Sequence, residues 1–230
     1  MYHKISAELA DAWTVTTAQL DAQMKWLIES DYEFVTGAQV LSAAEKGDGL
    51  PSRSVLITFD DAYLDNHELA FPLLAKLGLP VVLFVPTAFI GQISSWDYDA
   101  SPLMNAEQLR AVAASGVELA LHSHHHVSYG ALTTKLIAED VQSSVDIMNE
   151  LGLPFLPALA YPYGRRPRKK SGRLAMEEVL EKAGVKMAFR IGNRINPLTL
   201  RQPYEINRLG VRGDESLAVF QRKIKRGRWF

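Results

Sequence analysis

Four of the six histidines in this 230-residue chain fall within five positions, His122-Ser123-His124-His125-His126. The run is internal, so it is not an expression tag. His122 and His126 are four apart and share a face if the stretch makes one helical turn. Two neutral imidazoles plus a carboxylate, with one position left open, form a zinc-type catalytic set. A carboxylate pair able to complete it, Asp60-Asp61, follows the apolar run Val55-Leu56-Ile57-Thr58-Phe59. Neighbouring strand side chains point to opposite faces, so both carboxylates reach one site only if the chain leaves strand geometry at Asp60. A third segment, Tyr161-Pro162-Tyr163-Gly164, reads as a rigid turn that aims the Tyr163 backbone N–H at a developing oxyanion. Each piece also has an ordinary reading: a helix N-cap for the Asp pair, an exposed polar loop for the histidines, and a plain Pro/Gly turn.

Taken together, the three segments describe metal-assisted hydrolysis of an amide or ester. Asp61, His122 and His126 would hold a divalent metal, most simply zinc. Asp60 would accept the proton of a bound water whose pKa falls from 15.7 toward about 7. The metal and the Tyr163 N–H would stabilise the tetrahedral intermediate.

The elements that must position these residues follow from periodicity. Apolar runs of strand length alternate with segments of helical period. Strands are predicted over Val55–Phe59, Val81–Val85, Val117–Leu121, Ala158–Tyr161, Val185–Phe189 and Ile206–Val211, with a clipped first strand near Tyr2–Ile5 and a short one at Phe34-Val35. Helices are predicted over Thr17–Ser30, Asn66–Leu77, Asn105–Ala114, Thr134–Leu151, Arg173–Ala183 and Ser216–Ile224, with Pro72 marking a kink or a first turn. This rhythm implies α/β structure with parallel strands. No Gly-rich phosphate loop follows any strand, which disfavours an open nucleotide-binding sheet. The expectation is a distorted or incomplete (β/α) barrel of about seven parallel strands, one domain over 1–230. In such barrels chemistry sits at the C-terminal ends of strands, where all three segments fall.

Composition narrows the class. The 25 Lys+Arg nearly balance the 26 Asp+Glu, which argues against a nucleic-acid binder. No cysteine is present, so disulfides, thiolate catalysis and Cys-ligated zinc are excluded. The longest apolar run, Leu79–Ile90, contains Pro80 and Pro86 and is too short to span a bilayer, so no stable membrane insertion is expected. Met1–Ile5 shows no signal-peptide pattern, which predicts a cytoplasmic chain unless a leader precedes it. Oligomeric state is not legible.

Thr58-Phe59-Asp60-Asp61, then His122-Ser123-x-x-His126, then Pro162-Tyr163-Gly164, in this order at strand ends, resembles the polysaccharide deacetylase family (carbohydrate esterase family 4). The likeness runs from Tyr2-His3 to Arg208-Leu209-Gly210-Val211 and includes Tyr63-Leu64-Asp65-Asn66 and Ala183-Gly184. The resemblance implies a distorted (β/α) barrel, a divalent metal, commonly zinc, and removal of N- or O-acetyl groups from a polysaccharide or oligosaccharide. By position it implies Asp60 as base, Asp61, His122 and His126 as ligands, and the Tyr163 amide as oxyanion donor. Pro162 and Trp96 are assigned to the substrate; Trp96 reads equally as an anchor that holds its loop to the core.

The chain departs from the family pattern at several positions. Ala62 stands where the family usually has Gly, which is costly if the position needs positive φ. Ala160 stands where an Arg often orients the base, although some branches have a Phe-Ala-Tyr-Pro-Tyr-Gly motif like Leu159–Gly164. No histidine follows His126, so the usual late histidine that protonates the leaving amine is missing. His124, His125 and a protonated Asp60 are the replacement candidates. Arg208 reads either as the missing base-orienting Arg or as a surface salt bridge. The basic run Arg165-Arg166-Pro167-Arg168-Lys169-Lys170 reads as a solvated loop, or as an attractor for an anionic glycan or a phosphate-bearing carrier. The basic tail Arg222–Phe230 reads as a frayed helix end or a membrane-surface contact. His3 and His67 read as structural. Two alternatives to a carbohydrate deacetylase stay open: hydrolysis of a small non-sugar amide on the same scaffold, and a glycan-binding module with a degraded site.

Overall fold

The computed structural model describes residues 1–227; Arg228, Trp229 and Phe230 of the basic tail lie outside the described residues. The chain opens with β1 (Lys4–Ser6), β2 (Thr14–Thr16) and α1 (Thr17–Glu29), then β3 (Glu33–Phe34), α2 (Gly37–Lys46) and β4 (Ser54–Val55). Strand and helix then alternate: β5 (Ile57–Phe59), α3 (Phe71–Lys76), β6 (Val81–Val85), α4 (Ala106–Ala114), β7 (Glu118–Leu121), α5 (Thr134–Glu150), β8 (Ala158–Ala160), α6 (Lys170–Lys182) and β9 (Met187–Ile191). β10 (Ile206–Arg208) and α7 (Leu217–Arg226) complete the order.

Six strands form one parallel sheet in the order β10-β9-β8-β7-β6-β5, while β1-β2 and β3-β4 form separate parallel pairs. The helical crossovers explain why both faces of the sheet are apolar. Phe84, Ala120, Ala160 and Phe189 pack inside the curl. Leu83, Leu119, Leu121 and Leu159 face the helices. Met1–Tyr2 bridges the two edges. The Tyr2 N–H donates to the Thr58 carbonyl at 2.9 Å, the Asp60 N–H to the Tyr2 carbonyl at 3.0 Å, and the Val211 N–H to the Met1 carbonyl at 3.0 Å. A curled six-stranded sheet with this bridge is the distorted barrel expected from the sequence.

Several boundaries differ from the sequence reading. Val55–Phe59 is not one strand: Val55 pairs with Phe34, whereas Ile57–Phe59 pairs with β6, so the chain changes sheets at Leu56. Asn66–Leu77 divides into a π-helical turn over Asn66–Ala70 and α3, with Pro72 in the first turn of α3, where its missing N–H is not needed. The last two strands occupy Met187–Ile191 and Ile206–Arg208 rather than Val185–Phe189 and Ile206–Val211. α2 was not foreseen, although Thr36 and Gln39 form a capping box, a signal readable from spacing alone.

Candidate active site

The Asp60-Asp61 pair does leave strand geometry. β5 stops at Phe59, and Asp61 and Ala62 take φ values of +73° and +57°. That turn swings both carboxylates to one side. It also shows the cost anticipated at Ala62, whose Cβ is held in the left-handed region. The histidine loop after β7 is not the helical turn that would place residues four apart on one face. Ser123 and His126 take positive φ instead, at +65° and +53°, and fold the loop back so that His122 and His126 converge. Asp140, buried on α5, holds this fold: its carboxylate accepts the His124 and His125 backbone N–H groups at 3.0 and 3.1 Å and the Tyr129 hydroxyl at 2.7 Å.

Asp61, His122 and His126 are buried together, with ligand atoms all within 4.8 Å of one another. Asp61 Oδ1 lies 3.3 Å from His122 Nε2 and 3.1 Å from His126 Nε2. His122 Nδ1 is 2.8 Å from the Ala160 carbonyl oxygen, which can only accept, so Nδ1 carries a proton and Nε2 is the nitrogen turned toward Asp61. Asp61 Oδ1 is buried without a hydrogen-bond partner. A lone pair facing a carboxylate oxygen at these distances is repulsive unless a proton or a cation lies between them. The donor set, its burial and the His122 ring fixed at Nδ1 therefore fit a divalent metal. Burial pushes the Asp61 carboxyl up, but His122 and His126 hold it well below the usual carboxylate range.

Asp60 stands beside this group, its Oδ2 3.8 Å from His122 Nε2. Arg208 grips it with both nitrogens, Nη1 to Oδ1 at 2.5 Å and Nη2 to Oδ2 at 2.7 Å. Both side chains are buried, so the surface-salt-bridge reading of Arg208 is wrong. Register explains the reach: β10 and β5 are the two edges of the curled sheet, and Arg208 crosses the gap between them. Burial raises the Asp60 carboxyl, yet the Arg208 guanidinium, foremost among its neighbours, holds it below its ordinary value, so it is an anion at neutral pH.

Tyr163 has φ of +58° inside the turn at Pro162–Gly164. Pro162 is buried under that turn, and the Tyr163 side chain is half exposed, with its hydroxyl 3.3 Å from His126 Nδ1. Gly164 is required here: a Cβ would lie 2.6 Å from the Ile191 backbone nitrogen, and φ is +63°. Trp96 lies against His126, ring centroids 3.9 Å apart, and donates its indole N–H to the Tyr63 hydroxyl at 3.1 Å. It thus anchors its loop over a metal-ligand candidate.

The proposed proton donors His124 and His125 turn away. His124 Nδ1 pairs with Thr87 Oγ1 at 2.9 Å, and the His125 ring, 64% exposed, faces Asp140 at 3.5 Å. His3, read from the sequence as structural, offers a further imidazole near the two carboxylates. Its Nδ1 is buried without a partner. Burial lowers its pKa, with Asp61 and Asp60 acting in opposition, so the ring sits within electrostatic range of both carboxylates. The signal in the sequence is Tyr2-His3, which belongs to the family likeness.

Comparison with known proteins places this geometry in a family. The polysaccharide deacetylase family matches residues 47–188, more than half of the chain. The chain belongs to that family, whose members are hydrolases acting on acetylated sugars. Among relatives, YxkH of Bacillus subtilis (strain 168), assigned by name to the polysaccharide deacetylases, is 27% identical over 165 residues, covering 72% of this chain and 56% of its own length. The poly-β-1,6-N-acetyl-D-glucosamine N-deacetylase of Staphylococcus aureus (strain MRSA252) is 27% identical across 98% of this chain and 76% of its own length. The fold is shared with IcaB from Ammonifex degensii, TM-score 0.80 at 23% identity over 97% of this chain and 94% of that one. It is shared also with the deacetylase PplD of Streptococcus pyogenes, TM-score 0.81 at 18% identity over 97% and 96%.

Proposed function

We propose that this protein removes N-acetyl groups from an N-acetylglucosamine-containing polysaccharide with the help of a divalent metal, most simply zinc. The observation that carries the reading is the meeting of Asp61, His122 and His126 beside an Asp60 clamped by Arg208. Similarity over 98% of this chain to a poly-β-1,6-N-acetyl-D-glucosamine N-deacetylase, 76% of whose length is covered, supports the substrate class.

Asp61, His122 and His126 would hold the metal. When bound, it supplies Lewis-acid polarisation of the acetyl carbonyl and lowers the pKa of water. Asp60 takes the proton of the attacking water, and Arg208 keeps its carboxylate charged and oriented. The Tyr163 N–H, aimed by the strained turn and backed by Ile191, donates to the oxyanion as the carbonyl becomes tetrahedral. His3 delivers the proton that the leaving amine needs, in place of a histidine after His126. Pro162 holds the oxyanion turn, and Trp96 presents its ring beside the acetyl group.

The test is acetate release from acetylated N-acetylglucosamine oligomers, set against a panel of small non-sugar amides. Acetate is expected from the oligomers, with loss on chelation, recovery on adding Zn²⁺, and abolition in Asp60→Asn. Full metal loading in Asp61→Ala would remove Asp61 from the ligand set. Oligomer binding without acetate release, unaffected by Asp60→Asn, would make the protein a binding module.

A further inference from the structure

A second cleft, of about 470 Å³, opens between the start of α6 and the connection from β9 to β10. Six cationic side chains line it: Arg166, Lys170, Arg173, Arg190, Arg194 and Arg201. They face two carboxylates, Glu177 and Glu205, so four positive charges are left over. Glu205 is used up internally. It pairs with Arg166, with Arg190 at 3.2 Å and with Arg173 at 3.7 Å, and so fixes three guanidinium groups in one place. Among the described residues, Lys170, Arg194 and Arg201 make no ion pair, and Arg190 Nε is buried without a partner.

This arrangement is not the solvated loop that the run Arg165–Lys170 suggests by itself. Arg166 and Lys170 come from that run, but Arg173 comes from α6, Arg190 from β9, and Arg194 and Arg201 from the β9–β10 connection. Guanidinium forks converging from three elements suit a tetrahedral anion with several acceptor oxygens; a planar carboxylate fills one fork. The cleft also lies close to the chemistry. Arg166 is three residues from Tyr163, a span of at most about 11 Å. Arg190 directly precedes Ile191, against which Gly164 packs.

We propose that this cleft is an anion subsite that receives a phosphate group carried by the glycan, so that the preferred substrate is a phosphate-bearing polymer rather than a neutral one. The assignment rests on the deacetylase reading for its substrate and on the cleft alone for the anion. Two measurements separate these. In the first, inorganic phosphate is titrated calorimetrically into the full chain and into Arg194→Gln/Arg201→Gln, two exposed positions that carry no ion pair among the described residues and should leave folding intact. In the second, acetate release is followed for matched N-acetylglucosamine oligomers that are neutral, phosphorylated or uronate-bearing.

The expected results are saturable phosphate binding that the double variant loses, and a KM on the order of tenfold lower for the phosphorylated oligomer at low salt. The double variant should bring that KM to the neutral value while kcat on the neutral oligomer stays unchanged. Equal KM values for all three oligomers, an unaltered preference in the double variant, or no phosphate binding would overturn the subsite. An equal preference for the uronate would overturn the choice of phosphate. Phosphate binding that the variant abolishes, together with no acetate from any oligomer, would instead overturn the deacetylase reading and leave the anion site standing.

Discussion

Asp60 illustrates how one residue's chemistry is set by a neighbour 148 positions away. A buried carboxylate left to itself would be pushed toward its neutral form, which is useless as a base. The Arg208 fork keeps it charged and fixes its plane. Arg208→Met should therefore lower kcat on the order of a hundredfold, within the range of general-base catalysis, and cost about 3–5 kcal/mol of stability, as expected when a buried pair loses one partner. Arg208→Lys should recover little of either, because an ammonium cannot supply two parallel donors. Kinetics on the folded fraction and denaturant melts would check both, and a wild-type rate in Arg208→Met would refute the role. His3 makes a parallel case. His3→Gln should reduce kcat about a hundredfold while metal content stays full. On an acetyl ester with a good leaving group, which needs no donated proton, the variant should stay close to the wild-type rate. Equal losses on both substrates would mean that His3 only packs.

Elements place the candidate metal ligands. The histidine loop stays folded through a contact from α5: Asp140 accepts two loop N–H groups and a tyrosine hydroxyl. Its role is to hold the left-handed turns at Ser123 and His126 against their intrinsic preference. Asp140→Ala should weaken metal affinity about tenfold, the lower end of what second-layer partners contribute, and zinc titration with a competing chelator would show it. Unchanged affinity would mean that the loop is held by its own backbone. Gly164 is the matching device on the other side of the site, where β9 leaves no room for a side chain.

At the scale of the whole molecule, the barrel is held shut by the first residues of the chain. The Ile5 N–H donates to Asp65 Oδ1 at 3.0 Å, tying β1 to the turn that follows the Asp pair. Burial raises the Asp65 carboxyl to about 7, against the hydrogen bonds from Ile5 and Asn66. With the folded value above the unfolded one, the native state binds the extra proton. The stability this contributes is complete below the unfolded pKa near 3.9 and is lost as pH rises through about 7. The slope between the two values is at most about 1.4 kcal/mol per pH unit. Asp65→Asn should remove that slope, leaving the variant more stable than wild type at pH 8 and closer to it at pH 5. Denaturant midpoints across this range would decide, and parallel pH profiles for the two proteins would rule the coupling out.

How much of this was legible beforehand depended on whether the physics was local. The alternation of apolar strands and amphipathic helices, the Asp pair, the His122–His126 spacing and the Pro-Tyr-Gly turn are properties of short windows, and each fell at a strand end as read. α2 is equally local, in its Thr36–Gln39 capping box. The roles of Arg208, Asp140 and His3 were not local. Arg208 meets Asp60 only when the sheet curls shut, and Asp140 meets the histidine loop only when α5 packs back onto it; a side chain's electrostatic environment is not encoded by its sequence neighbours. The amino-acid sequence by itself determined which side chains were available and which strand ends would bear them. The tertiary structure alone decided which carboxylate is held as an anion, which histidines face it and which turn away, because those outcomes depend on burial and on distances across the barrel.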